Sequence, residues 1–408
     1  MATEERIVGL DIGTTKIAVI IAEINESQKP RVIGIGTSRS DGLKKGVVIN
    51  LEKTVESIAS AVDDAEMVAQ AKVESVFCGI AGDHIRSINS RGVISVSRSD
   101  REITSTDVEK VIEAAKPVTL PMDREIIHVL PQEYKVDDQT GIKDPIGMMG
   151  VRLETDVHIV TGAVTATQNI LRCVKKAGLE IEDLVLQPLA SSYALLSPDE
   201  QELGVALIDL GGGTTDFALF FDGSIRHTGV VSLGGKNVTN DIAIGLRTPV
   251  DQAEEIKKVY GSAMSSLVAS DEMIEVPAMG GGEPKQISRN VLAAIIEPRM
   301  EEILSLTLQE MKKSSFYDLL ATGIVLTGGG SLMEGVVELT EKTFDLPVRI
   351  GKPQGIDGLE ERTSSPIYAT GVGLILYGWE QMKGEKSGGR LKGKGWLRKM
   401  KNKLSQYL

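Results

Sequence analysis

Cysteine, histidine and aromatic residues are scarce in this 408-residue chain, and long apolar runs are missing altogether. The two cysteines, Cys78 and Cys173, stand far apart and form no CxxC pair. That argues against a disulfide framework and for a cytosolic address. The four histidines, His84, His128, His158 and His227, lack metal-ligand spacing and read as structural or surface residues. No apolar stretch approaches the ~18 residues a membrane-crossing helix requires, and the longest, YATGVGLILYGW, reads as a buried helix. The opening MATEERIVGL has no basic region followed by an apolar core, so no secretory signal is expected. Neither G-x-x-x-x-G-K-[ST] nor G-x-G-x-x-G occurs, which disfavours phosphate-loop and dinucleotide-binding folds. Acids stop at Glu385, beyond which eight basic residues stand alone; the first 385 residues therefore carry −20 of a net −12. Such asymmetry points to a tail that meets an anionic surface.

What the chain does have is glycine, 43 residues clustered in loops, against a usual ~7%. Apolar residues make up 41% of the chain, enough for a sizeable core in two or three domains. Strand-like and helix-like segments alternate throughout, which predicts an α/β protein. VESVFCGIAG, REIIHVLPQEYKV and VHIVTGAV read as strands. TSTDVEKVIEAAKPV reads as a helix capped near Thr104 to Thr106 and ended by Pro117. TATQNILRCVKKAGLEI reads as a helix closed by Gly178, and TPVDQAEEIKKVYG as one opened by Asp251. A long helix over SRNVLAAIIEPRMEEILSLTLQEMKKSS should bend near Pro298. EVPAMGGGEPKQ reads as a flexible loop, and residues 84–162 look like an insertion without phosphate-loop chemistry.

One pattern occurs twice. LDIGTTKIAV and IDLGGGTTDFAL each give an apolar strand, an aspartate, a glycine, a Thr-Thr pair, a charged residue and a second apolar strand. Aligned by residue type, Asp11 matches Asp209 and Thr14-Thr15 match Thr214-Thr215, the second loop being two residues longer. The chemistry suits a polyphosphate. Glycine lets backbone N–H groups approach an anion, through Gly13 in the first copy and Gly211, Gly212 and Gly213 in the second. The four threonine hydroxyls add donors and Lys16 a cation. Asp11 and Asp209 would repel phosphate and are better read as ligands of Mg²⁺ or its waters. The plainer alternative is a pair of β-hairpins whose Gly and Asp merely satisfy turns. A third element, GIVLTGGGSLMEGVVELTEKTF, reads as a strand, a loop of Gly328, Gly329, Gly330 and Ser331, and a helix whose N-terminus could face a nucleotide.

Three such loops in this order resemble the superfamily of actin, sugar kinases and heat-shock chaperone ATPases. That resemblance implies two duplicated lobes around an ATP cleft, with Mg²⁺ as companion. It places the water-positioning residue of LQPLASSYALL at Gln187, with Asp209 as its catalytic companion. It sets Glu254 and Lys257 of AEEIKKVYG near the ribose, and Gly234, Gly235 and Lys236 of SLGGKNVTNDIA near the nucleotide. A neutral Gln187 can orient water but cannot act as a base, so at most slow hydrolysis is expected.

Within that superfamily the whole chain is most similar to the FtsA family of bacterial cell division, through DGLKKGVVINLEKTVESIASAVDDAE, the insertion and the basic tail. The resemblance implies lobe segments 1–83, 163–199 and 356–384 (IA), 200–232 and 318–355 (IIA), and 233–317 (IIB). The inserted subdomain is 84–162, the linker 385–394 and the amphipathic membrane-targeting helix 395–408. It implies self-association into actin-like filaments at the cytoplasmic face of the cell membrane. It implies docking of the FtsZ C-terminal peptide and recruitment of later division proteins, with no nucleic-acid partner. For the peptide, Arg289 and Arg299 beside Ile295 and Ile296 are the expected contacts; solvated arginines and core isoleucines are the alternative.

On a helical wheel the tail's apolar residues Trp396, Leu397, Met400, Leu404, Tyr407 and Leu408 fall within a ~120° arc. Arg398 and Lys399 face away, and Lys401 and Lys403 flank the stripe, positioned to reach anionic lipid headgroups. The competing function is an ATP-dependent kinase or other ATPase of the same fold. No separate motif for a second substrate is present.

Overall fold

The strand Arg6–Ile12 (β1) is apolar on both faces, because both faces are covered. The computed structural model describes residues 5–25, 27–96, 101–116, 120–281, 283–358 and 363–386. After β1 come Lys16–Ile24 (β2), Pro30–Arg39 (β3), the short pair Leu43–Lys44 (β4) and Val47–Val48 (β5), and helix Leu51–Ala69 (α1). Asn50 starts α1 by accepting from Lys53 N–H at 3.0 Å, and Gln70 ends it in a left-handed conformation. Strand Ser75–Ile80 (β6) precedes the inserted segment. This holds Arg86–Ser95 (β7), Ser105–Ala115 (α2), Arg124–Val136 (β8), Gln139–Ile142 (β9) and Arg152–Ala163 (β10). Helix Val164–Lys176 (α3), strand Glu180–Leu186 (β11) and helices Gln187–Leu195 (α4) and Pro198–Leu203 (α5) close the first half.

The second half repeats the order. It runs Val205–Leu210 (β12), Thr215–Phe221 (β13), Ser224–Val231 (β14), Gly235–Leu246 (α6) and Val250–Tyr260 (α7). Then come Met273–Val276 (β15), Lys285–Ser288 (β16), Arg289–Met311 (α8), Ile324–Thr327 (β17), Val336–Phe344 (α9), Val348–Ile350 (β18) and Ala369–Lys386 (α10).

Two five-stranded sheets share one topology, β11-β6-β1-β2-β3 and β14-β13-β12-β17-β18. In each, an antiparallel meander of three strands is extended by two parallel ones. Helices α4 and α10 lie between the sheets. Leu195, Val372 and Ile375 form one cluster with Ile20 of the first sheet and Leu207 and Phe220 of the second. Each sheet's outer face has its own helical cover, α1 and α3 on the first and α6, α8 and α9 on the second. The insertion makes a separate sheet, β7-β10-β8-β9, with its own small core around Val111, Tyr134 and Leu153.

Two expectations change. EVPAMGGGEPKQ is not all loop: β15 and β16 pair antiparallel across it, from Met273↔Ser288 to Val276↔Lys285. Helix α10 runs to Lys386, so the first two residues of the expected linker 385–394 continue that helix. Pro298 sits inside α8 without ending it. Pro117, the remainder of the linker and the tail helix 395–408, with all ten residues assigned to the membrane, lie outside the described residues.

Candidate functional site

The hairpin register revises the internal repeat. In the first hairpin Ile12 faces Ile17 and Asp11 faces Ala18; in the second Leu210 faces Thr215 and Asp209 faces Asp216. Both connecting loops therefore hold four residues, and Gly13-Thr14-Thr15-Lys16 matches Gly211-Gly212-Gly213-Thr214. The Thr-Thr pairs are offset by two positions, which type-by-type alignment could not reveal.

The two loops meet tip to tip. A Cβ on Gly212 would lie 2.3 Å from the Thr15 side chain, and one on Gly213 2.6 Å from Thr14 Oγ1. Glycine is required there because each loop fills the space beside the other's backbone. Around this contact opens a cleft of about 1200 Å³, lined by all three loops and by Gln187, Gly234, Gly235, Lys236, Glu254 and Lys257.

At the cleft's base, Asp11 is buried and accepts from Gln187 Nε2 at 2.9 Å. Gln187 is the first residue of α4, so that helix sets the carboxylate's position. Burial raises Asp11 to about 6, partly offset by Lys16. Burial, with Asp216 and Asp11 nearby, raises Asp209 to about 7. Lys16 donates to Ile367 O at 2.5 Å and lies 4.1 Å above the Tyr368 ring; burial lowers its pKa, while Asp11 and Asp209 act the other way.

Asp216 is a residue the sequence reading passed over. It is buried, accepts from Thr214 Oγ1 at 2.7 Å and is raised by burial to about 6. The signal was present in its place as the charged residue closing the second turn. Among the described residues no three carboxylate, histidine or cysteine side chains close on one point that could hold a metal. The donor set fits Mg²⁺ only through its waters and a ligand's oxygens.

Several expected contacts are otherwise engaged. Thr215 is fully buried and donates to Leu233 O at 3.0 Å, and Ser331 donates to Gly328 O at 2.7 Å. Neither hydroxyl faces the cleft as a donor. The N–H groups of Gly235 and Lys236 bond to Gly211 O at 2.9 Å and Gly212 O at 2.8 Å. This segment therefore braces the second loop. Lys236 Nζ crosses the cleft to Thr14 O at 2.9 Å. Glu254 and Lys257 pair with each other at 2.7 Å, and Lys257 also reaches Thr239 Oγ1 at 2.9 Å.

After Gly328, whose φ of +79° suits glycine, the third loop turns as a short 3₁₀ segment, Gly329–Leu332. Helix α9 begins only at Val336, so Gly328, Gly329 and Gly330 do not themselves form its N-terminus. Gly329 is the open member: among the described residues, only Ile367 Cγ2 comes within 4 Å, at 3.9 Å, of where its Cβ would be.

The arginines assigned to a peptide are already paired. Arg289 bonds Glu272 at 3.0 Å and also Glu334, and Arg299 bonds Asp241 at 2.6 Å and also Glu302. Ile296 is core and Ile295 is partly buried against it. The arginines are thus ion-paired rather than solvated, and of the two isoleucines Ile296 is core.

Residues 206–373 match the family described as cell division protein FtsA, and residues 82–161 match the SHS2 domain inserted in FtsA. The cell division protein FtsA of Pseudomonas aeruginosa is 50% identical over 375 residues, spanning 92% of this chain and 89% of that protein. The chain belongs to the FtsA family. The FtsA of Escherichia coli K12 is 41% identical over 387 residues, covering 93% of this chain and 92% of its own length. Among solved structures, the PilM-PilN type IV pilus biogenesis complex has a TM-score of 0.67 at 17% identity. It covers 91% of this chain and 98% of the matched chain. MreB5 of Spiroplasma citri bound to ADP has a TM-score of 0.57 at 15% identity, over 94% and 98%. These neighbours establish the actin-like fold of this FtsA-family chain. No described helix is long and apolar enough to cross a membrane.

Proposed function

We propose that this chain binds Mg·ATP in the cleft, self-associates into actin-like filaments, and ties FtsZ to the cytoplasmic face of the membrane through residues 395–408. The supporting observation is the apposition of two glycine-threonine hairpin loops over buried carboxylates. The ADP-bound state of the structurally similar MreB5 is consistent with it.

Bound Mg²⁺ would neutralise phosphate charge and carry waters for Asp11 and Asp209 to hold. Lys16 then exchanges the Ile367 carbonyl for a phosphate oxygen. Thr14 and Thr15 add hydroxyl donors on one side, and Gly212 and Gly213 bare backbone on the other. Gln187 holds Asp11 and orients water, but its amide cannot take a proton, so turnover is slow at most. Gly329 leaves room for adenosine.

The peptide of FtsZ is placed on the 233–317 segment. Its carboxylates would have to compete with the acids that now hold Arg289 and Arg299. The inserted subdomain is the surface proposed for later division proteins. The tail binds weakly by itself, since each basic residue near an anionic surface contributes ~1 kcal/mol. Filaments joining many tails add avidity.

The test is co-sedimentation with anionic vesicles at physiological salt, with and without Mg·ATP. The parent should pellet, and more so with nucleotide. A Trp396→Glu, Leu404→Glu protein should stay in the supernatant. Retained pelleting by that variant removes the tail as anchor, and indifference to Mg·ATP removes the coupling to the cleft.

A further inference from the structure

Ser40 follows the last residue of β3 and lines the cleft. It is 2% exposed, and its hydroxyl has no partner among the described residues. Its backbone N–H bonds to Thr15 O at 3.1 Å, which fixes it beside the tip of the first loop. A buried serine hydroxyl without a partner is uncommon, since such groups are nearly always satisfied. Two residues earlier, Ser38 shows the ordinary arrangement and donates to Ser57 O at 2.6 Å.

The other buried hydroxyls around the cleft are engaged. Thr14 accepts from Gly46 N–H, Thr214 donates to Asp216, Thr215 to Leu233 O, Thr239 to Gly235 O, and Thr370 pairs with Ser191. Ser40 alone among these has a hydroxyl with neither donor nor acceptor partner among the described residues, and its backbone N–H holds it at the Thr14–Thr15 end of the cleft.

We propose that Ser40 is a ligand of the outermost phosphate of a bound nucleoside triphosphate. Its hydroxyl donates to a phosphate oxygen and distinguishes a triphosphate from a diphosphate. A neutral donor suits this place, because Lys16 and Lys236 already bring two cations to the same loop. A bound triphosphate would satisfy that donor. This inference rests on the nucleotide-binding reading of the cleft.

The experiment measures affinity for Mg·ATP and Mg·ADP, and the melting temperature without nucleotide, in the full-length parent, Ser40→Ala and Ser40→Cys. Ser40→Ala should weaken Mg·ATP by about 5- to 20-fold and Mg·ADP by less than about 2-fold. Its nucleotide-free melting temperature should be unchanged or higher, because an orphaned polar group has been removed. Ser40→Cys, nearly isosteric with a weak donor, should fall between and also serves if the alanine variant folds poorly. Equal losses for both nucleotides, or none, overturn the proposal. So does a lower melting temperature without nucleotide, which would assign the hydroxyl a structural bond. A parent that binds neither nucleotide overturns the reading of the cleft itself, and Ser40 with it.

Discussion

Besides the apolar layer between the sheets, the second half of the molecule meets the first at two polar places built on opposite principles. At the cleft, loop faces loop through Gly212 and Gly213, and among the described residues Lys16 is the cation that acts on the buried carboxylates Asp11 and Asp209. At the insertion, β14 is held by a closed set of hydrogen bonds. Gln132 Nε2 donates to Ile225 O at 2.8 Å, Asn89 Nδ2 to Arg226 O at 3.1 Å, and Ser87 Oγ to Thr228 O at 3.0 Å. His158 bridges Asn89 Oδ1 at 2.7 Å and Thr228 Oγ1 at 2.9 Å. A fully satisfied polar joint is rigid, whereas one with unmatched charge is stabilised by a guest. The joint reads as permanent and the cleft as conditional.

The largest expected break is at the cleft. Gly212→Val places a branched side chain where Thr15 already sits, so Mg·ATP affinity should fall more than about 100-fold, the order of a ~3 kcal/mol steric cost. Calorimetric titration reads this, and unchanged melting without nucleotide would show that the joint holds the fold unaided. A titration curve like the parent's would mean that the loop apposition is not the site.

A break at the joint should act the other way. Gln132→Ala leaves the Ile225 carbonyl without its buried partner, at a cost of about 1–3 kcal/mol. The melting temperature should drop by several degrees while nucleotide affinity in the folded protein stays within about 2-fold. Loss of both together would make cleft and joint a single unit.

The finest contrast is in pH. Burial lowers His158 to about 3, below its unfolded value of ~6.5. The unfolded chain therefore takes up that proton first, and stability is lost as pH falls below ~6.5. Asp209 behaves oppositely. Its pKa is raised to about 7, so its contribution is fully present below the unfolded value of ~3.9 and is lost as pH rises through about 7. Acidification thus relieves the cleft and strains the joint. Between pH 7 and pH 5, His158→Gln should remove a loss of about 1–2 kcal/mol, and Asp209→Ala should steepen the loss that remains. Parallel chemical-denaturation curves for both variants at the two pH values would disprove the opposition.

Sequence alone determined the repeated strand-turn-strand, the helix over Ser105–Ala115 with its Thr104 cap, and the buried character of α10. These follow from periodicity and capping, which are local. It also placed the cleft, since Asp, Gly, Thr and Lys in that order have little reason to interrupt a doubly buried strand pair. Tertiary structure decided the rest. Residue types aligned the two Thr-Thr pairs, whereas hydrogen-bond register, which counts positions across a hairpin, moved one by two residues and turned Thr215 into the core. Arg289 looked available because its acidic partners Glu272 and Glu334 lie 17 and 45 residues away; Arg299 has Glu302 three residues on, but its other partner Asp241 is 58 residues away. The idle hydroxyl of Ser40 was likewise invisible, because whether a donor is satisfied depends on what folding brings within 3.5 Å of it, which no local pattern encodes.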